Sequence, residues 1–175
     1  GVIYGAYTEG NGAVTNNSVI ISDSAIDGVI YGAYTEGSGA VTNNKVIISG
    51  DATNIDREQV SGGVSLGTGT VAYNNVTVTG GTLGDRVLGG GSAHGIAEYN
   101  SVIVEGGAIG SDITGGAAMD NAARHNSVKI SGTAEIGRDV MGGFIEGTAA
   151  GDVTDNSVII SGGSISGDVY GAYTK

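Results

Sequence analysis

One unit of about 27 residues recurs six times along this chain, and it is too short to bury a core by itself. The first two copies are nearly identical: GVIYGAYTEGNGAVTNNSVIIS from Gly1 and GVIYGAYTEGSGAVTNNKVIIS from Gly28. Later copies drift but keep a frame built on Asn followed by an alternating strand. It reads NSVIIS at Asn17, NKVIIS at Asn44, NNVTVT at Asn74, NSVIVE at Asn100, NSVKIS at Asn126 and NSVIIS at Asn156. The six Asn are 27, 30, 26, 26 and 30 residues apart. Inside the element, Val19, Val46, Val76, Val102, Val128 and Val158 form one apolar column, and Ile21, Ile48, Val78, Val104, Ile130 and Ile160 a second. The residue between them varies and is Lys129 in one copy. Alternation of this kind marks a strand with one face inward and one in water.

Further columns follow. A second apolar pair comes after a Ser/Gly turn: Ile26 and Ile30, Ile55 and Val60, Leu83 and Val87, Ile109 and Ile113, Ile136 and Val140, Ile165 and Val169. Next stands a pair of small residues, Gly-Ala at Gly5, Gly32 and Gly171 and Gly-Gly at Gly62, Gly89, Gly115 and Gly142. Glycine at this place suggests a sharp bend with positive φ. A weaker apolar position, Val14, Val41, Val71, Ala97, Ala123 and Val153, precedes the next Asn. Extra residues fall around Asp51–Gln59 and near Thr133–Glu135, while the apolar columns persist. These features predict an all-β, parallel β-solenoid: about six coils of three short strands each, stacked at roughly 4.8 Å. Parallel crossovers are right-handed as a rule, so a right-handed β-helix is expected. Residues 1–175 read as a single solenoid domain, and the chain opens and closes inside a repeat, as a segment of a longer repeat protein would.

Composition narrows the function. The 175 residues include 35 Gly and no Pro, Cys or Trp. Without a Gly-X-Y period or Pro, collagen is excluded. Without Cys there is no disulfide and no thiolate metal site. Seven basic residues against eighteen acidic ones give a net charge of −11. Nucleic acid and anionic membrane surfaces are therefore disfavoured as partners. No apolar run approaches the ~18 residues of a membrane span.

The chemistry-bearing residues are few. Asn17, Asn44, Asn74, Asn100, Asn126 and Asn156 would stack in register, and amides in a column can bond coil to coil; this structural ladder is preferred over a ligand-binding row. Asp112, Asp139 and Asp168 should stack too, with Asp85 one residue out of register. Ca²⁺ takes six to eight oxygens per site, and the GGxGxD motif of Ca²⁺-binding β-rolls is missing, so a solvated acidic stripe is preferred to an ion site and no cofactor is assigned. Tyr4, Tyr31 and Tyr170 form one aromatic column and Tyr7, Tyr34, Phe144 and Tyr173 another; the middle coils carry Ser61, Leu88, Thr114 and Met141 in the first. These rings are expected to pack on neighbouring coils, with contact to sugars or a protein as the alternative. His94 and His125 occupy non-equivalent positions, and no nucleophile or metal motif is present, so no catalytic residue is assigned.

The stretch NSVIISGGSISGDVYGAYT, Asn156–Thr174, resembles the Gly-rich repeats of bacterial autotransporter passenger domains and related adhesin-like surface proteins. In those repeats a strand ending in Ser-Gly-Gly leads to a Gly-x-Val-Tyr-Gly-Gly-Tyr-like turn. The resemblance covers essentially the whole chain. It implies a secreted, surface-displayed β-helix serving as an extracellular stalk or adhesive surface, with host or glycan ligands. A self-assembling fibre subunit is the alternative, because DVYGAYT from Asp168 nearly repeats VIYGAYT from Val2 and unpaired strand edges template further pairing. Its partners would be other copies of itself or further coils of the same chain. A polysaccharide-processing β-helix ranks last, since no pair of carboxylates is singled out.

Overall fold

The computed structural model describes residues 1–51, 54–55, 59–147 and 151–175, with Asn54 and Ile55 described by their backbone alone. The chain is an all-β parallel solenoid of about six coils, and every strand pairs in parallel with its counterpart one coil away. The in-register Val and Ile columns dictate this arrangement, because each coil gains a buried face only when its neighbour covers it.

The coils contribute to four sheets rather than the three strands expected, the first coil alone having no strand in the fourth. Sheet A carries the Gly-rich corner, with rungs such as Val60–Ser65, Val87–Ser92, Ile113–Ala118 and Val140–Ile145. Sheet B is made of two-residue strands ending just before each ladder Asn, among them Val71–Ala72 and Ala97–Glu98. Sheet C holds the alternating strands, Ser18–Ser22 through Ser157–Ile160. Sheet D is a second set of two-residue strands, including Thr82–Leu83 and Ala108–Ile109. The second apolar pair read in the sequence is thus split: Leu83 lies in sheet D and Val87 in sheet A, with a turn between. A strand offering one inward residue has no alternation to detect. Ile55 pairs with Leu83 through its backbone; its side chain, and much of the Asp51–Gln59 insertion, lie outside the described residues.

Register also relocates the second insertion. Ala97 pairs with Ala123, 26 residues on, and Ala108 with Glu135, 27 on, so one extra residue sits near Thr133–Glu135. Ala118 pairs with Ile145, still 27 on, but Ala123 pairs with Val153, 30 on. Three extra residues therefore lie between Ile145 and Val153.

The core is a continuous file of aliphatic side chains. Val46, Val76, Val102 and Val128 are fully buried, as are Ile48, Val78, Val104 and Ile130 beside them and Leu83, Val60 and Val87 opposite. A second cluster under the corner joins Val14, Ala33, Val41 and Val71. Outward residues of sheet C are in water: Ile20 is 67% exposed and Ile159 55%. Truncation of Val102 to Ala should therefore cost roughly 1–3 kcal/mol through lost burial and a cavity. Ile103→Lys, by contrast, should cost no more than about 1 kcal/mol, since Ile103 is half-buried on the outward face and its neighbour in register is already Lys129. Thermal unfolding of the two variants checks the contrast.

Candidate functional site

The Asn column is the most elaborate polar structure in the molecule. Each amide Nδ2 donates to the Oδ1 of the Asn one coil further on, from Asn17 through to Asn156, at 2.9–3.1 Å. The same Oδ1 also accepts the backbone N–H of the preceding Asn, at 2.8–3.1 Å. From Asn44 onward the second hydrogen of Nδ2 reaches back to the sheet B carbonyl of the preceding coil, as Asn100 does to Val71 at 2.8 Å and Asn126 to Ala97 at 2.9 Å, whereas Asn17 donates to Thr15 of its own coil. Asn74, Asn100 and Asn126 are fully buried. Only an amide offers an acceptor and two donors in this geometry, so the buried backbone groups at the bend are satisfied.

The small-residue pair makes room for this ladder. None of the paired glycines has positive φ; that conformation falls instead on Gly50, Gly81, Gly107, Gly132 and Gly163, and on the residue before each ladder Asn. The corner glycines are required by close approach. A Cβ on Gly115 would lie 2.4 Å from the Gly142 carbonyl oxygen, and one on Gly116 would lie 2.2 Å from Asn126 Oδ1. The expectation of a positive-φ bend is corrected accordingly: the backbone is extended, and space rather than dihedral freedom selects glycine.

Positive φ before each ladder Asn exposes a feature the sequence reading passed over. The residues there are Asn16, Asn43, Tyr73, Tyr99, His125 and Asp155, with φ from 53 to 61°. Asn and Asp adopt this left-handed conformation readily, whereas bulky aromatic residues rarely do. Yet three consecutive coils place rings there, and the rings stack: Tyr73 on Tyr99 at 5.0 Å and Tyr99 on His125 at 4.7 Å between centroids. Their signal was the exchange of a turn residue for an aromatic one at a fixed offset from Asn.

The Asp column is also a ladder. Asp112 Oδ1 accepts the backbone N–H of Asp139, and Asp139 Oδ1 that of Asp168, at 3.1 and 2.8 Å. Asp85 stays outside it, because Arg86 fills the equivalent rung. Among the described residues no three His, Asp or Glu side chains converge as metal ligands. His94 and Asp120 meet on the surface at 2.9 Å.

The outer face of sheet A is concave, because the two residues flanking the corner glycines point toward each other across the bend. At one end Tyr4 meets Tyr7 at 5.1 Å and Tyr31 meets Tyr34 at 5.0 Å; at the other, Tyr170 meets Tyr173 at 4.9 Å. Along the axis Tyr7 stacks on Tyr34 and Phe144 on Tyr173. Hydrogen bonding from its hydroxyl to Glu36 at 2.9 Å, with desolvation and the Glu36 and Glu9 charges adding, holds the Tyr7 phenol well above the ordinary tyrosine range. Tyr170 is raised chiefly by its hydrogen bond to Asp168. Glu36→Gln removes the main acceptor charge, so Tyr7 should ionise closer to the ordinary value near 10, seen as an earlier rise in phenolate absorbance on alkaline titration.

No protein-family profile, curated protein or solved structure matches this chain. Fold and ladders together define it as a parallel β-solenoid repeat protein, with its polar columns bonding coil to coil and its aromatic columns turned outward.

Proposed function

We propose that this chain is a non-enzymatic, adhesin-like stalk or passenger segment displayed on the outside of a bacterial cell. One observation carries the reading: the recurrent polar side chains are spent on joining coils, as in the Asn74–Asn100–Asn126 file. What such a repeat builds is length and a regular outer surface. Residue choice is free only on that surface, where the Tyr columns offer apolar, hydrogen-bonding faces suited to glycans or host-matrix proteins. The acidic charge of −11 fits contact with neither nucleic acid nor anionic lipid. The resemblance to autotransporter passenger repeats supports display outside the cell. Immunogold electron microscopy of intact source cells should decorate their surface, and the chain should bind members of glycan or matrix arrays, with binding reduced by Tyr4→Ser/Tyr7→Ser. Gold confined to the cell interior would refute the proposal.

A second reading is favoured by the end coils. Ile160 and Val169 are 47% and 45% exposed on one end coil and Val2 51% on the other, and the sheet A rungs match residue for residue, Val169, Tyr170 and Tyr173 against Ile3, Tyr4 and Tyr7. A second copy stacked head to tail would continue the sheet A rungs, as further coils of the same chain would. A fibre subunit should elongate when purified and concentrated; a monomer that persists in sedimentation at high concentration opposes this reading.

A further inference from the structure

The concave corner of sheet A is filled by rings in the outer coils and left open in the middle. The column that carries Tyr7 and Tyr34 continues as Val64, Gly91 and Ala117 before Phe144 and Tyr173 resume it. Facing them across the bend stand Ser61, Leu88 and Thr114 instead of tyrosines. The result is a trough of about 220 Å³, floored by small and aliphatic residues and closed at its ends by Tyr34 and Phe144. Exposed Leu66 and Met119 form its lip, Glu146 stands at the rim beside Phe144, and Arg86 donates through Nε to Gln59 Oε1 at 2.6 Å.

We infer that this trough binds one elongated, planar, cationic aromatic molecule lying along the solenoid axis. Shape comes from the flanking coils, which fill the same corner with their own stacked rings, so a guest replaces the three ring rungs that the middle coils omit. Four rungs of ~4.8 Å separate Tyr34 from Phe144, and with ring contacts of ~3.5 Å at each end a guest of roughly 12 Å fits, the length of two or three linked rings. Glycine and alanine let a flat molecule approach the sheet backbone. Charge follows from the net −11, from Glu146 at the rim, and from two ring faces that attract cations. Arg86 keeps its charge while it bonds the neutral Gln59 amide, and Glu146 is the one acidic group among the residues that line the trough.

Thioflavin T, a planar cationic dye of this length, is the probe. Titrated against ultracentrifuged, monomeric protein, its fluorescence should saturate at one dye per chain. Ala117→Tyr continues the ring column into the trough and should weaken binding at least tenfold. Glu146→Lys, at an exposed position that folding tolerates, should weaken it at least threefold. Tyr99→Ser, which breaks the separate ring stack before the Asn ladder, should leave it unchanged, and anionic anilinonaphthalene sulfonate should bind more weakly than thioflavin T. Absence of binding, full affinity in both Ala117→Tyr and Glu146→Lys, loss of the signal in Tyr99→Ser, or tighter binding of the anionic dye would each overturn the inference.

Discussion

Replacing Asn100 with Ala is expected to lower stability by on the order of 4 kcal/mol, one of the largest effects of any single truncation in the chain. Three buried groups lose partners at once. The backbone N–H and the Nδ2 of Asn74 both donate to Asn100 Oδ1, and the Val71 carbonyl accepts from Asn100 Nδ2. Each buried polar group left unsatisfied costs about 1–3 kcal/mol. Asn17→Ala is the control. Its Nδ2 bonds are made at the half-buried end of the ladder, where water replaces them, and its backbone N–H still reaches Asn44 Oδ1, so about 1 kcal/mol is expected. Urea midpoints of the two variants measure the difference. Equal shifts would mean that the ladder is not what satisfies the bend.

A single methyl group at the corner should do comparable damage. In Gly115→Ala the new Cβ would stand 2.4 Å from the Gly142 carbonyl oxygen and 2.9 Å from the backbone of Ser127. Every obstacle is main chain, held by pairing on both sides, so relief requires moving a whole rung. A loss of about 4 kcal/mol or more is expected, with the variant prone to misfold. Gly91→Ala meets only the end of the Leu88 side chain, at 2.8 Å, and should cost about 1 kcal/mol or less. Gly12→Ala meets nothing within 4 Å and should be neutral. Expression, circular dichroism and thermal unfolding of the three variants test the order; a stable Gly115→Ala would show that the coils stack less closely than described.

Sheet C was readable in advance because its strands are four to five residues long and alternate cleanly, as Ser101–Val104 does with Val102 and Val104 inward. Six Asn at one offset from those strands announced a column for the same reason: repetition fixes register. Sheet B was legible only as a weaker apolar position before each Asn, and sheet D escaped individual recognition because two residues cannot display a period and Leu83 seemed to share a strand with Val87, although a turn separates them. The glycine pair was noticed but misread, since a glycine kept for space and one kept for positive φ look alike in sequence. Only the neighbouring rung, with Asn126 Oδ1 pressed against Gly116, separates the two causes. The trough on sheet A was legible as missing aromatics at Ser61, Leu88 and Thr114, but its depth depends on those positions facing Val64, Gly91 and Ala117 across a bend.

The stacked, in-register solenoid is tested most directly by distances between spin labels on the outward column of sheet C. Ile20, Ile47, Thr77, Ile103, Lys129 and Ile159 occupy successive rungs of that column. The native chain has no Cys, so labels at engineered cysteines are unambiguous. Ile47→Cys/Lys129→Cys spans three rungs and Ile20→Cys/Ile159→Cys five, for expected separations of about 14 and 24 Å. Narrow distributions at those values are the predicted result; broad distributions, or mean separations far from about 14 and 24 Å, would contradict the solenoid.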